Sequence, residues 1–336
     1  MSQPRPLVVT MGEPASIAAE ITAKLWLRLR REDRPEWRFF VVGEAELYRR
    51  CGVPVVKITQ PRQALEHFAM ALPVLVEPLP SKVNWGVLNP DHAPATIQSI
   101  RRAVALVQAG EAAAVITNPI HKAHLQQAGF GFPGHTEFLE SLTRREGMAA
   151  HAVMMLTSER ITPPLRVVPI TVHLALRDAV NALDRSKIIT TAITTATDLR
   201  RRLGIANPRL AVAGLNPHAG ENGTMGREEI AIIAPAIAEL QSRGLRITGP
   251  YPADSLFHPR AREDYDLVLC PTHDQALIPL KTLDFSGGVN VTLGLDLVRT
   301  SPDHGTALDI AGKDLADETS LYEAVKLAAA MVQHGG

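Results

Sequence analysis

The feature that most constrains the fold is an alternation along the whole chain: short apolar segments of strand length recur between longer segments with helical period. That order predicts an α/β protein with a mostly parallel sheet covered by helices. "PLVVTMG" reads as the first strand. In "ASIAAEITAKLWLRLRRE", Ile17, Ile21, Leu25 and Leu29 fall four apart, so one helical stripe faces a core while Lys24, Arg28 and Arg31 stay in water. The pattern recurs as strands "RFFVVGE" and "LPVLVEP", helix "TIQSIRRAVALVQAG" and strand "AAAVITNP". "AVMMLT" and "RVVPITV" read as neighbouring strands, followed by one long helical segment over 179–203. Strand "RLAVAGL", helix "EEIAIIAPAIAELQSRG", strand "DLVLCP", a strand-rich "GVNVTLGL" and a closing helix "SLYEAVKLAAAMVQH" complete the chain. No repeat or low-complexity linker separates autonomous domains, which predicts two lobes sharing one sheet.

Composition narrows the partners. The 35 Lys and Arg balance the 35 Asp and Glu, so no overall field recruits nucleic acid or an anionic membrane, and the expected partner is small. Cys51 and Cys270 are far apart and form no C-x-x-C pair, which suits a reducing compartment. No signal-peptide start and no run of about 18 apolar residues is present, and a cytoplasmic location is expected.

Three apolar runs end on histidines: "RVVPITVH" on His173, "LAVAGLNPH" on His218 and "DLVLCPTH" on His273. One histidine at a strand end reads as a structural hydrogen-bonder. Three on equivalent loops can surround a divalent ion, because the carboxyl ends of parallel strands gather at one edge and form the ligand crevice. Asp178, Glu221 and Asp274 are candidate acceptors for the ring N–H groups, or helix caps.

Lys281, Asn290 and Arg299 punctuate an otherwise apolar stretch and suit a phosphate or carboxylate, or else a solvated strand edge. "PGHTEFLESL" sets His135 and Thr136 at a helix start, where an anion or a simple N-cap is expected. "HGTALDIAGKDLAD", 304–317, is a polar loop before the last helix, and no G-x-G-x-x-G follows any strand, so nothing supports a Rossmann dinucleotide site.

That loop resembles the adenine-binding loop of isopropylmalate and isocitrate dehydrogenases, whose two-lobed α/β/α fold binds NAD(P) without a Rossmann motif. "GEPASIAAEI", "VITNPIHK", "GHTEFL", "LNPHAGENG", "GPYPADSLF", "HDQALIPLK", "GGVNVTLGL" and "RTSPDHGTALDIAG" run in order along nearly the whole chain and resemble the 4-hydroxythreonine-4-phosphate dehydrogenase family of the vitamin B6 pathway. The resemblance implies a first lobe of 1–130 plus 304–336 with the adenine-type loop. A second lobe, 131–303, would carry the metal and phosphate ligands and the dimer interface. It implies that His173, His218 and His273 bind one divalent metal, zinc first, or magnesium or cobalt. His135, Thr136, Lys281, Asn290 and Arg299 would hold a phosphorylated substrate, and His304, Gly305, Thr306, Ala307, Asp309 and Ile310 would contact NAD or NADP. The family is a homodimer whose metal site is completed across the interface, with His273 from the partner subunit. Asp254 is the candidate proton acceptor and Lys122 the second.

The implied reaction is metal-dependent, NAD(P)-linked oxidation of 4-phosphohydroxy-L-threonine, followed by decarboxylation to 3-amino-2-oxopropyl phosphate. Alternatives are a four-carbon sugar-acid phosphate dehydrogenase acting on threonate or erythronate 4-phosphate, a metal-dependent hydrolase, and a catalytically silent binding relative. One departure stands out: Ser16 and Ala18 replace glycines of the family's first loop, which would strain any position that needs positive φ.

Overall fold

A computed structural model describes residues 4–132, 134–143 and 151–335. Its strands are β1 Leu7–Thr10, β2 Phe39–Gly43, β3 Val55–Ile58, β4 Leu72–Val76, β5 Val115–Ile116, β6 Val153–Ser158, β7 Leu165–Pro169, β8 Arg209–Ala213, β9 Arg246–Tyr251, β10 Leu267–Cys270, β11 Val289–Leu293 and β12 Arg299–Pro302. The chain divides into two compact units, one of Met1–Glu146 with Leu295–His334, the other of Gly147–Gly294. The boundaries expected from the sequence, 130/131 and 303/304, are not those the packing follows. The helix His135–Thr143 and strand β12 belong to the first unit, where Arg299 and Thr300 pair in parallel with Val115 and Ile116 of β5.

In the first unit the strand order is β3-β4-β2-β1-β5-β12, with every pair parallel. Its central strands are buried at nearly every residue: LVVT in β1, FFVVG in β2, LPVLV in β4. Such unbroken apolar runs arise because helices cover both faces of a parallel sheet. The stripe anticipated on the first helix is present, since Ile21, Leu25 and Leu29 of Ala18–Leu29 are buried.

In the second unit the order is β11-β6-β7-β10-β8-β9; β6 runs antiparallel to both β11 and β7, and β7, β10, β8 and β9 run parallel. Leu156, Val167, Ala211 and Val268 from four strands pack with Ala276 and Leu280 of the helix His273–Leu283 into one core.

The long segment over 179–203 is two helices, Leu176–Ala182 and Arg185–Leu203. Asp184 stops the first and caps the second by accepting from the Lys187 N–H at 2.7 Å, and Gly204 ends the second at φ 67°. Strands β3, β9 and β12 were not anticipated. β3 and β9 are partly exposed edge strands, and β9 carries Gly249-Pro250, which an edge tolerates. β12, Arg-Thr-Ser-Pro, is fully buried without one large apolar side chain, so hydropathy is blind to it. No helix among the described residues is long and apolar enough to cross a membrane.

Candidate active site

In the second unit the three histidines sit just past the ends of adjacent strands: His173 after β7, His273 after β10 and His218 after β8, in the sheet order β7-β10-β8. The His173 and His273 ring centres are 5.7 Å apart. Asp274 Oδ1 is 2.8 Å from His273 Nδ1, which makes Asp274 the acceptor anticipated for that ring and leaves Nε2 as the free donor atom.

His273 is placed by a capping box. Thr272 and Gln275 close the start of its helix, and Gln275 Nε2 donates to Gly214 O at 2.8 Å, tying the β10 loop to the end of β8. A cleft of about 760 Å³ opens beside the pair, lined by His173, His273, Asp274, Asp254, Phe257 and Ile278 among others. Asp254 lies in the short turn Ala253–Ser255, exposed at the cleft wall. Among the described residues no three His, Cys, Asp or Glu side chains of the chain close on one metal position.

His218 sits in unusual backbone. His218, Ala219, Gly220, Glu221 and Asn222 take φ of 51°, 49°, 79°, 41° and 54° in succession, a left-handed turn. Left-handed conformation costs non-glycine residues roughly 1–2 kcal/mol each, and such strain persists only where surrounding contacts enforce it. His173 is left-handed too, at φ 53°.

Lys281 and Asn290 are in this same unit, both half-buried. Lys281 lies in the last turn of the helix His273–Leu283, its Nζ 5.3 Å from the Phe285 ring centre, and Asn290 is opposite Leu156 in the β11–β6 pair.

The other anion candidates gather in the first unit. Arg299 is 3% exposed, and its Nε and Nη2 donate to Thr117 Oγ1 at 3.1 and 2.6 Å. Burial pulls its pKa down to about 9, so it stays charged at neutral pH. His135 opens the helix His135–Thr143, with Thr136 next to it and Nε2 buried and lacking a hydrogen-bond partner among the described residues. Burial, then the Arg299 charge, then that of Lys122 hold its pKa well below the ordinary histidine range. The buried imidazole thus stays neutral beside two cations. Gly134 leaves room for Lys122, whose Nζ would be 3.4 Å from a Cβ there.

The loop 304–317 is strapped down within the same unit. Lys24 Nζ donates to the carbonyls of Asp314 at 3.0 Å and Ala316 at 2.8 Å, Glu20 Oε1 accepts from the Ala316 N–H at 2.7 Å, and Thr306 O accepts from the Ile17 N–H at 3.2 Å. Gly312, φ 73°, packs so tightly on Trp85 that a Cβ would fall 2.4 Å from the indole. His304 Nδ1 is 3.0 Å from Gly305 O, and Ala307 takes φ 41°. The substituted first loop is unstrained: neither Ser16 nor Ala18 has positive φ, and Ser16 Oγ donates to Glu13 O at 2.7 Å and accepts from the Ala18 N–H at 3.0 Å. Three partners escaped the sequence reading: Thr117, Glu229 and a buried pair in which Glu13 Oε2 is 2.9 Å from His124 Nδ1. Only Glu13, a carboxylate inside an apolar strand-loop-helix stretch, left any signal.

The profile of the family described as pyridoxal phosphate biosynthetic protein PdxA matches residues 37–328. The chain belongs to this family. It is therefore an oxidoreductase, and its similarity to other PdxA proteins extends over nearly its full length. It is 51% identical over 336 residues to the 4-hydroxythreonine-4-phosphate dehydrogenase of Caulobacter vibrioides, covering 99% of each chain. The crystal structure of 4-hydroxythreonine-4-phosphate dehydrogenase from Klebsiella pneumoniae superposes with a TM-score of 0.83 at 38% identity, covering 98% of this chain and 100% of that one. A terephthalate 1,2-cis-dihydrodiol dehydrogenase from Burkholderia xenovorans is more distant, with a TM-score of 0.63 at 25% identity over 98% of each chain.

Proposed function

We propose that the chain catalyses metal-dependent, NAD(P)-linked oxidation of 4-phosphohydroxy-L-threonine to 2-amino-3-oxo-4-phosphooxybutanoate, which decarboxylates to 3-amino-2-oxopropyl phosphate, and that it does so as a cytoplasmic homodimer. The observation that carries the reading is that His173, His273 and His218 stand just past the ends of three adjacent strands, the first two lining one cleft with Asp254, in a PdxA family member whose relatives bear the name of this activity.

His173, His218 and His273 are the metal ligands in this reading, with His273 supplied by the partner subunit. Imidazoles are borderline donors that suit zinc or cobalt, and the Asp274 contact sets His273 in the tautomer that ligation requires. A divalent ion held by these imidazoles would supply Lewis acidity toward the oxygen of the substrate hydroxyl and of the keto group that replaces it. His135, Thr136, Lys281, Asn290 and Arg299 hold the phosphate. Arg299 brings fixed positive charge out of contact with water, and neutral His135 hydrogen-bonds without adding repulsion to it. Asp254 takes the hydroxyl proton and passes it to solvent, to which it is open; Lys122 is the second candidate. His304, Gly305, Thr306, Ala307, Asp309 and Ile310 receive the adenosine of NAD(P), on a loop already held rigid by Lys24 and Glu20, so little ordering is left for cofactor binding.

Two experiments test this. Purified protein is offered 4-phosphohydroxy-L-threonine and the 4-phosphates of threonate and erythronate; the highest kcat/KM is expected for the first, and preference for a sugar acid overturns the substrate. Mixing His173→Ala with His273→Ala chains, each inactive alone, is expected to restore about a quarter of wild-type activity, because half of the dimers are mixed and each carries one intact site. No restoration overturns the shared site.

A further inference from the structure

Immediately before the left-handed turn that carries His218, the chain is gripped by one buried carboxylate. Glu229, 3% exposed, accepts with Oε1 from the backbone N–H groups of Leu215 and Asn216, both at 2.8 Å, and with Oε2 from Asn216 Nδ2 at 2.9 Å. The same amide donates to Glu228 Oε2 at 2.8 Å. From the other side the turn closes down on this carboxylate: a Cβ on Gly220 would fall 2.6 Å from Oε2, and one on Gly214 would fall 3.4 Å from Oε1. Glu229 also opens the π-turn Glu229–Ile233, a local widening of a helix that is frequent at functional sites.

The geometry points to Glu229 as a positioning residue: it holds the turn 218–222 in its left-handed form and so presents the His218 imidazole to the metal. This rests on the reading of His218 as a ligand. The physical argument is that backbone which L-residues avoid must be enforced from outside, and the strongest enforcement here is a charged acceptor on two successive N–H groups two residues from the histidine. A neutral amide of the same size does not replace it. In Glu229→Gln one oxygen can still serve the two N–H groups, but the new NH2 then faces the Asn216 NH2, donor against donor.

Cobalt(II) is the probe, because its visible absorption reports imidazole ligation directly, apart from turnover. Wild-type protein, His218→Ala, Glu229→Gln and Gly220→Ala, the last of which drives a methyl group into the carboxylate, are titrated with cobalt after metal removal. Circular dichroism checks the fold of each. The expected result is at least a tenfold loss of cobalt affinity in Glu229→Gln and Gly220→Ala, with kcat recovering at saturating cobalt and KM for NAD(P) unchanged. A general packing defect is not rescued by metal. If His218→Ala loses affinity while either folded test variant binds cobalt as the wild type does, the role of Glu229 is overturned and the ligand reading stands. Should Glu229→Gln fail to fold, Gly220→Ala alone decides. Wild-type affinity in His218→Ala overturns the ligand reading itself.

Discussion

Arg299 joins a full charge to near-complete burial and donates to the Thr117 hydroxyl. Charge-assisted hydrogen bonds contribute about 1.5–3 kcal/mol each, so Arg299→Ala is expected to raise KM for the phosphorylated substrate by roughly 10- to 100-fold. Steady-state kinetics should show KM for NAD(P) unmoved; equal increases in both would point to general damage. His135 makes a prediction about pH. Its folded pKa lies well below the unfolded value, so between the two the unfolded chain binds more protons than the folded one. The stabilising contribution is therefore complete above about pH 6.5 and is lost as pH falls from there toward the folded pKa, with a slope of at most about 1.4 kcal/mol per pH unit. Urea melts between pH 7.5 and 5.5 should show this loss in the wild type and a shallower slope in His135→Asn. Ser16 offers a local test of the substituted first loop. Its hydroxyl bridges Glu13 O and the Ala18 N–H just ahead of the helix, so Ser16→Ala and Ser16→Gly should each cost about 1 kcal/mol. A stabilised Ser16→Gly would mean that the serine strains the loop after all.

At the scale of elements, the loop 304–317 depends on what is packed behind it. Gly312 is held at positive φ against the Trp85 ring, and Arg50 lies over that ring at 4.5 Å. Gly312→Ala has no room for its methyl group and is strained in that backbone conformation. Displacement of the loop should weaken NAD(P) binding by about tenfold or more, as read by calorimetry, while binding of the phosphorylated substrate is unaffected; unchanged cofactor affinity would remove the loop from the cofactor site. Elements differ in how far local pattern reveals them. Buried apolar strands such as Phe39–Gly43, and the striped helix Ala18–Leu29, follow from periodicity alone. The break at Leu183–Asp184 also had a local cue, an aspartate just ahead of a helical run, where it accepts from the Lys187 N–H. β12 had no such cue. Its polar residues are acceptable inside only because Arg299 meets Thr117, and Thr300 Oγ1 donates to Ala324 O at 2.9 Å.

For the whole molecule, the exposed apolar residues around the histidine cleft bear on assembly. Leu174, Leu176 and Ile278 are 48, 69 and 62% exposed, and all three line that cleft. Exposed apolar surface of this kind marks an interaction site, and under the proposed homodimer it is the face expected to receive the second copy. Leu176→Asp should shift the sedimentation coefficient from dimer to monomer at micromolar concentration and abolish complementation between His173→Ala and His273→Ala chains. A Leu176→Asp dimer with normal complementation would place the interface elsewhere.

The sequence by itself determined the α/β class, the buried strands, most of the long helices, and the set of histidines and anion-binding candidates, because hydrophobic period and residue chemistry are local properties of a chain. Tertiary structure alone decided that β7, β10 and β8 lie side by side and so bring His173 to His273, that the helix from His135 and strand β12 pack into the first unit, and that a carboxylate at 229 holds the backbone just ahead of a left-handed turn at 218. Each of these rests on contacts between residues distant in the chain or on backbone that no L-residue prefers. Neither leaves a periodic trace in the amino-acid order.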